Sequence, residues 1–169
     1  MRASLVAFLF AAAFTSASAQ SPFAPLPAAC GPKDASFNVK LDKSSHSLTP
    51  PEPGKARIYF LQDTGVTAIS SSPTEPTMFA VDGAWAGAIH GKSYFSISID
   101  PGEHHLCAAL KFNREGRTAV LAHLQVEAGK TYFYRMRLIE DLAGLDPVDS
   151  DEASYLIANY PLSVFHPGK

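Results

Sequence analysis

The chain has 169 residues, of which 46% are hydrophobic and 18% are charged, and its formal net charge is −2. This length suits one domain, because compact domains cluster at about 100–150 residues. The hydrophobic fraction excludes a disordered polar chain. The lack of a basic excess argues against nucleic-acid binding, so we expect no nucleic-acid partner.

The first 19 residues have the three parts of an export signal. Arg2 supplies the positive charge, residues 5–14 form an apolar run, and the small residues of 17–19 precede the cleavage point. We predict a signal peptide over 1–19, cleaved between Ala19 and Gln20. The apolar run is too short to span a bilayer core of about 30 Å, so the membrane is contacted only before cleavage. The mature chain is expected to be periplasmic or secreted.

Two alternatives to this export route stay open. One is retention of the signal as an N-terminal anchor. The other is a lipid on Cys30, although Pro27 interrupts the residues that a lipidation signal requires.

The two cysteines of the chain, Cys30 and Cys107, are predicted to form a disulfide. An exported chain meets an environment in which thiols oxidise, and an even number of cysteines favours pairing. Their separation of 77 positions (107 − 30) would make the bond worth on the order of 4 kcal/mol in the chain-entropy model. The alternatives are two buried free thiols, or a Cys30 that is left untethered in a mobile arm.

Alternating apolar residues predict a chain made mostly of short strands. After the signal we expect a Pro/Ala-rich N-terminal arm with one short strand over 20–50, and a β-sandwich domain over 51–169. The predicted strands cover 37–41, 56–62, 77–81, 84–89, 93–99, 104–112, 118–126 and 131–139.

Turn residues separate these strands at intervals of roughly ten positions, which is typical of a sandwich. Asp82-Gly83 is a strong hairpin signal, and 113–116 is another turn. Residues 63–76 form a Ser/Thr/Gly/Pro loop long enough to be a functional candidate. The prediction is an all-β fold, an antiparallel β-sandwich of immunoglobulin-like or transthyretin-like type.

One short C-terminal helix is predicted over 150–159. Asp149 lies three positions before Glu152, as in a capping box, and Pro161 ends the helix. A loosely bound calcium ion is the alternative use of these carboxylates. Residues 162–165 follow as an extended piece that would pair with a sheet edge or cover it.

Four segments of the chain resemble the bacterial family called domain of unknown function 2846. They are Pro51–Ala56 leading into Ile58–Phe60, Val81–Gly83 with Gly87, Gly91–Phe95 running on to Pro101–His104, and Glu127–Tyr132. The resemblance covers roughly 50–140 and implies an exported or lipoprotein β-sandwich domain with no assigned activity. It supplies no functional residues. Members of the family are often lipoproteins, and this chain differs in lacking a good lipidation signal. The order of Asp82-Gly83 and then Pro101-Gly102-Glu103-His104 is also similar to PEGA-type surface modules. This is an analogy of fold, and a shared fold does not determine function.

No catalytic, cofactor-binding or metal residues are predicted. The nucleophile motif G-x-S-x-G is absent, so we expect no enzyme and no cofactor. His104 and His105 are neighbours on a strand and point to opposite faces, so they cannot chelate one ion together. A small extracytoplasmic metal-binding protein is an alternative, in which His105, Cys107 and either His123 or His90 would hold copper or zinc if Cys107 stays reduced.

The function that these observations favour is that of an exported, non-catalytic binding or structural module of the bacterial cell envelope. Its partner is unknown, with an envelope protein or a cell-wall glycan as candidates. The glycan alternative requires an exposed aromatic face. The strand aromatics that could supply it are Tyr59, Trp85, Tyr94, Phe95, Phe112, Tyr132, Phe133 and Tyr134.

Overall fold

The computed structural model describes residues 30–46, 48–63, 75–112, 116–139 and 142–168. The predicted signal peptide, arm residues 20–29, most of the candidate loop (64–74) and the turn residues 113–115 lie outside the described residues.

Ten strands and one helix occupy the described ranges. In chain order they are β1 Phe37–Asp42, β2 Ala56–Gln62, β3 Thr77–Val81, β4 Ala84–Ile89, β5 Ser93–Ile99, β6 Gly102–Phe112, β7 Gly116–Val126, β8 Thr131–Ile139, β9 Leu142–Pro147, α1 Ser150–Asn159 and β10 Leu162–Pro167.

The strands form two sheets. One has six strands in the order β1-β10-β5-β2-β8-β9, and the other has four in the order β4-β3-β6-β7. The pairs are antiparallel except β10–β5 and β2–β8, which are parallel. The predicted all-β, sandwich-like fold with one short C-terminal helix is therefore confirmed.

The main core lies between the two sheets and is rich in phenylalanine. The ring of Phe60 lies 5.0 Å from that of Phe79 and 5.2 Å from that of Phe95, measured between centroids. The other face of β2 is buried as well, because Tyr59 and Leu61 pack in a second cluster under α1. Burial on both faces explains why β2 is almost continuously apolar rather than alternating.

Helix α1 begins and ends where the sequence predicts. The side chain of Asp149 accepts hydrogen bonds from the backbone N–H groups of Asp151 and Glu152, which satisfies two donors that the first turn leaves unpaired. Ala153, Leu156 and Ile157 form the buried face of the helix. Within the described ranges, no helix has the length and apolarity needed to cross a membrane.

Two C-terminal strands differ from expectation. Strand β9 was not predicted, and it forms the edge of the larger sheet beside β8. The extended piece after α1 is β10, and it pairs with strands of a sheet, which is one of the two predicted alternatives. It lies between β1 and β5 inside the six-stranded sheet rather than along its edge.

Candidate functional site

The outer face of the four-stranded sheet carries the predicted disulfide. Cys30 and Cys107 are bonded, with their Cα atoms 5.3 Å apart. Cys107 lies on β6 and is fully buried, and Ala80 and Ala109 lie beside it. These small side chains leave room for the backbone around Cys30 to lie on the sheet.

Trp85 holds the same stretch of chain by a second contact. Its indole Nε1 donates a hydrogen bond of 2.9 Å to the backbone oxygen of Pro32. Trp85 also packs against the cluster formed by Cys30, Cys107 and the neighbouring alanines. The arm is therefore fixed to the outer face by a covalent bond and by an aromatic side chain.

Further along the same face, three metal-ligating side chains come together: Glu103, His105 and His123. One ligand atom from each lies within 4.8 Å of the other two, and all three residues are exposed. Glu103 Oε1 is 3.0 Å from His123 Nε2, and the rings of His105 and His123 meet edge to face with centroids 5.3 Å apart. We call these residues the Glu-His-His cluster.

The alternative metal site that included Cys107 is contradicted, because Cys107 is bonded to Cys30 and offers no free thiolate. His90 is not part of the cluster either. The third candidate ligand is Glu103, which sequence reasoning missed. The available signal was the spacing Glu103-x-His105, because residues two apart on a strand share a face.

His104 points to the opposite side of β6, as predicted for neighbours on a strand. Its Nδ1 lies 2.6 Å from Asp82 Oδ2, and its Nε2 lies 2.9 Å from the backbone oxygen of Asp100. Asp82 Oδ1 accepts a hydrogen bond of 2.8 Å from the backbone N–H of His105. Asp82 thus connects the β3–β4 turn to the strand that carries the cluster.

The pKa of Asp82 is lowered from its usual value. Partial burial by itself would raise it, but the hydrogen bonds from the His105 backbone and the His104 ring, with the nearby histidine charges, outweigh that effect.

The aromatic residues do not form an exposed row. Tyr59, Tyr94, Phe95, Phe133 and Tyr134 are buried. Tyr132 is half-buried, and its hydroxyl accepts a hydrogen bond from the backbone of Glu127. The side chain of Phe112 lies outside the described residues. Among the described aromatics of the predicted set, none offers the exposed face that the glycan-binding alternative requires.

The side chain of Arg135 connects α1 to the larger sheet through two carboxylates. Arg135 on β8 donates through Nη1 to Asp63, at the end of β2, and to Glu152 in the first turn of α1. The side chain of Arg135 is 16% exposed and that of Asp63 is 22% exposed, so the pair is largely shielded from water. The acidic residues at the start of α1 therefore have structural roles as a helix cap and as partners of Arg135.

The fold and the outer face define a disulfide-bonded β-sandwich protein whose four-stranded sheet carries a covalently fixed arm and a cluster of metal-ligating residues. The chain belongs to the family described as "Protein of unknown function (DUF2846)", whose model matches residues 52–147. Comparisons with curated proteins and with solved structures gave no significant match.

Proposed function

We propose that this chain is an exported, non-catalytic binding or structural module of the bacterial cell envelope. The observation that carries the proposal is the disulfide, which joins a residue eleven positions after the predicted cleavage point (30 − 19) to a buried strand. Structural disulfides persist in oxidising compartments and are rare in the cytosol. The signal-like residues 1–19 are an independent reason for export.

An exposed apolar side chain on the smaller sheet supports association with a protein. Leu121 is 52% exposed and lies on β7, which forms one edge of the four-stranded sheet. The edge strand of a sheet presents unpaired backbone groups that a strand of another protein can join, and Leu121 would add an apolar contact beside them. An envelope protein is therefore favoured as the partner, and a cell-wall glycan is the weaker candidate because the described aromatics are mostly buried.

Export is tested by expressing the full chain in a Gram-negative host, followed by fractionation and mass spectrometry. We expect a periplasmic chain that begins at Gln20 and has no reactive thiol when it is unfolded without reductant. An Ala19→Arg variant should accumulate with its leader, and Ser16→Ala should be processed normally. Recovery from the cytosol with the leader intact and two reactive thiols would overturn the proposal.

Binding is tested with a photo-reactive residue at position 121 in the exported chain, and with the same residue at the exposed position 159 on α1 as a control. A protein adduct of discrete mass from position 121, and none from position 159, is the expected result. Co-sedimentation with purified cell-wall sacculi, in place of the adduct, would favour the glycan as the partner. If the chain gives no adduct and does not sediment with the sacculi, a binding role is contradicted.

A further inference from the structure

We propose that the Glu-His-His cluster binds one divalent transition-metal ion, Zn²⁺ or Cu²⁺, on the outer face of the four-stranded sheet. The register of the β6–β7 hairpin brings the ligands together. His105 lies directly opposite His123, and Glu103 lies opposite Gln125, which places Glu103 diagonally across from His123. Cβ atoms of directly opposed residues are about 4.5–5.5 Å apart, and diagonal neighbours remain within reach of long side chains.

The distances allow a metal ion after small side-chain rotations. Tetrahedral zinc with bonds of about 2.0–2.2 Å places its ligand atoms about 3.3 Å from each other. In the cluster the ligand atoms lie within 4.8 Å of each other, and the Glu103–His123 pair is already at 3.0 Å. The side chains of His123 and Glu103 are 55% and 64% exposed, so little packing resists the required rotation.

The donor atoms indicate the class of metal. Two imidazole nitrogens and one carboxylate oxygen suit zinc and copper, whereas calcium and magnesium prefer sites made of oxygen alone. Because the site is exposed, water can complete the coordination. Cys107 cannot join the ligands while it is bonded to Cys30, so the site depends on nitrogen and oxygen donors.

The backbone that carries the ligands is held in place from several sides. Strands β6 and β7 are paired from Gly102↔Val126 to Phe112↔Gly116, with the cluster near one end. The disulfide fixes β6 two residues beyond His105. Asp82 accepts a hydrogen bond from the backbone N–H of His105 itself. On such a fixed frame the side chains lose conformational freedom when a metal ion binds, but the backbone loses little.

The experiment uses the exported chain, residues 20–169, with any affinity tag removed and its thiols shown to be oxidised. After treatment with chelator, Zn²⁺ binding is measured by calorimetry, and Cu²⁺ binding by electron paramagnetic resonance. We expect one ion per chain and a copper spectrum with two nitrogen ligands. His105→Gln and His123→Gln should each weaken binding at least about tenfold and remove one nitrogen from the spectrum.

Glu103→Gln should weaken binding and leave both nitrogens in place. The matched control is His166→Gln, which removes an exposed histidine from β10 in the other sheet and should leave the affinity unchanged. Near-UV circular dichroism confirms that each variant is folded.

Two results would overturn the metal site. One is the absence of saturable binding, and the other is equal binding by the wild type and by the three cluster variants. In either case Glu103 and His123 form an ordinary surface ion pair. The metal site does not depend on export, so a chain that binds metal and yet remains in the cytosol would contradict the proposed function alone.

Discussion

Gly31 lies directly against the indole ring of Trp85, so that a methyl group at this position would overlap ring atoms Cγ, Cδ1 and Nε1. The next residue, Pro32, accepts the hydrogen bond of the indole through its backbone oxygen. The backbone of the arm and the ring of Trp85 therefore fit together only because residue 31 has no side chain.

Gly31→Ala is expected to push the arm away from Trp85. Overpacking of this kind costs about 1–3 kcal/mol, and the indole should become more accessible to water. Trp85 is the single tryptophan, so the tryptophan emission of the protein reports the surroundings of this ring alone. We expect a red shift and stronger quenching by acrylamide, whereas Lys33→Ala, at an exposed position two residues further along, should change neither. An unchanged emission spectrum in Gly31→Ala would contradict the contact.

A buried pair of serines connects β5 to β10. The Oγ atoms of Ser93 and Ser163 are 2.8 Å apart, and both residues are buried. Ser163→Ala should destabilise the fold by about 0.5–1.5 kcal/mol, because the hydroxyl of Ser93 loses this bond and keeps only the longer one, of 3.4 Å, to the backbone oxygen of His90. The double variant with Ser93→Ala should lose less stability than the sum of the single variants. Urea unfolding of all four proteins measures the coupling, and strict additivity would argue against the bond.

Asp82 should contribute an acid-sensitive part of the stability. Its folded-state pKa is lowered, so the contribution is complete above the unfolded value of about 3.9 and is lost as the pH falls through the folded value. Asp82→Asn removes the charge and, since asparagine tolerates positive φ, keeps the turn, in which residue 82 has φ 49.

We expect the wild type to be more stable than Asp82→Asn by about 1 kcal/mol at neutral pH, since the carboxylate is half exposed. The gap should narrow as the pH falls below about 3.9, the pKa of the unfolded carboxyl group. Urea titrations of the two proteins at several pH values, with chelator present, measure this difference in the free energy of unfolding. A gap that is independent of pH would show that the carboxylate charge is not responsible.

Arg135 is expected to matter more for stability than its neighbour Arg137. Arg135→Met leaves Asp63 and Glu152 without their shared cation near the start of α1. The free energy of unfolding should fall by about 2 kcal/mol, a loss between those typical of surface and of buried ion pairs. Arg137→Met breaks a pair with Asp146 in which both side chains are 42% exposed, so its effect should stay below about 1 kcal/mol. Thermal unfolding compares the two variants, and equal losses would contradict the difference in shielding.

The sequence predicts local structure well where alternation and turn chemistry agree. The range 56–62 and the helix 150–159 match β2 and α1. Asp82-Gly83 forms the expected turn, with φ of 49° and 82°. Strand β9 escapes prediction because Leu142–Pro147 contains a glycine and a proline and lacks regular alternation. It forms a strand because β8 offers an unpaired edge, which only the folded structure supplies.

The arrangement of the strands and the third cluster residue were harder to predict. Strand β2 pairs in parallel with β8, far away along the chain, and nothing local specifies this partner. In the cluster, the position of His105 opposite His123 follows from the hairpin turn between β6 and β7, which the sequence does predict. The sequence does not predict Glu103 as a ligand, because the predicted strand begins at residue 104 and leaves Glu103 in the preceding turn, whereas β6 begins at Gly102.

Strand β10 lies between β1 and β5, and among the described residues it is the only strand paired with β1. During synthesis of the chain, Phe37–Asp42 therefore has no strand to pair with until Leu162–Pro167 has been made. A chain truncated before position 162 would lack β10, the strand that connects β1 to the rest of the six-stranded sheet. Phe37–Asp42 would then stay unpaired, so this strand joins the six-stranded sheet only when nearly the whole chain exists.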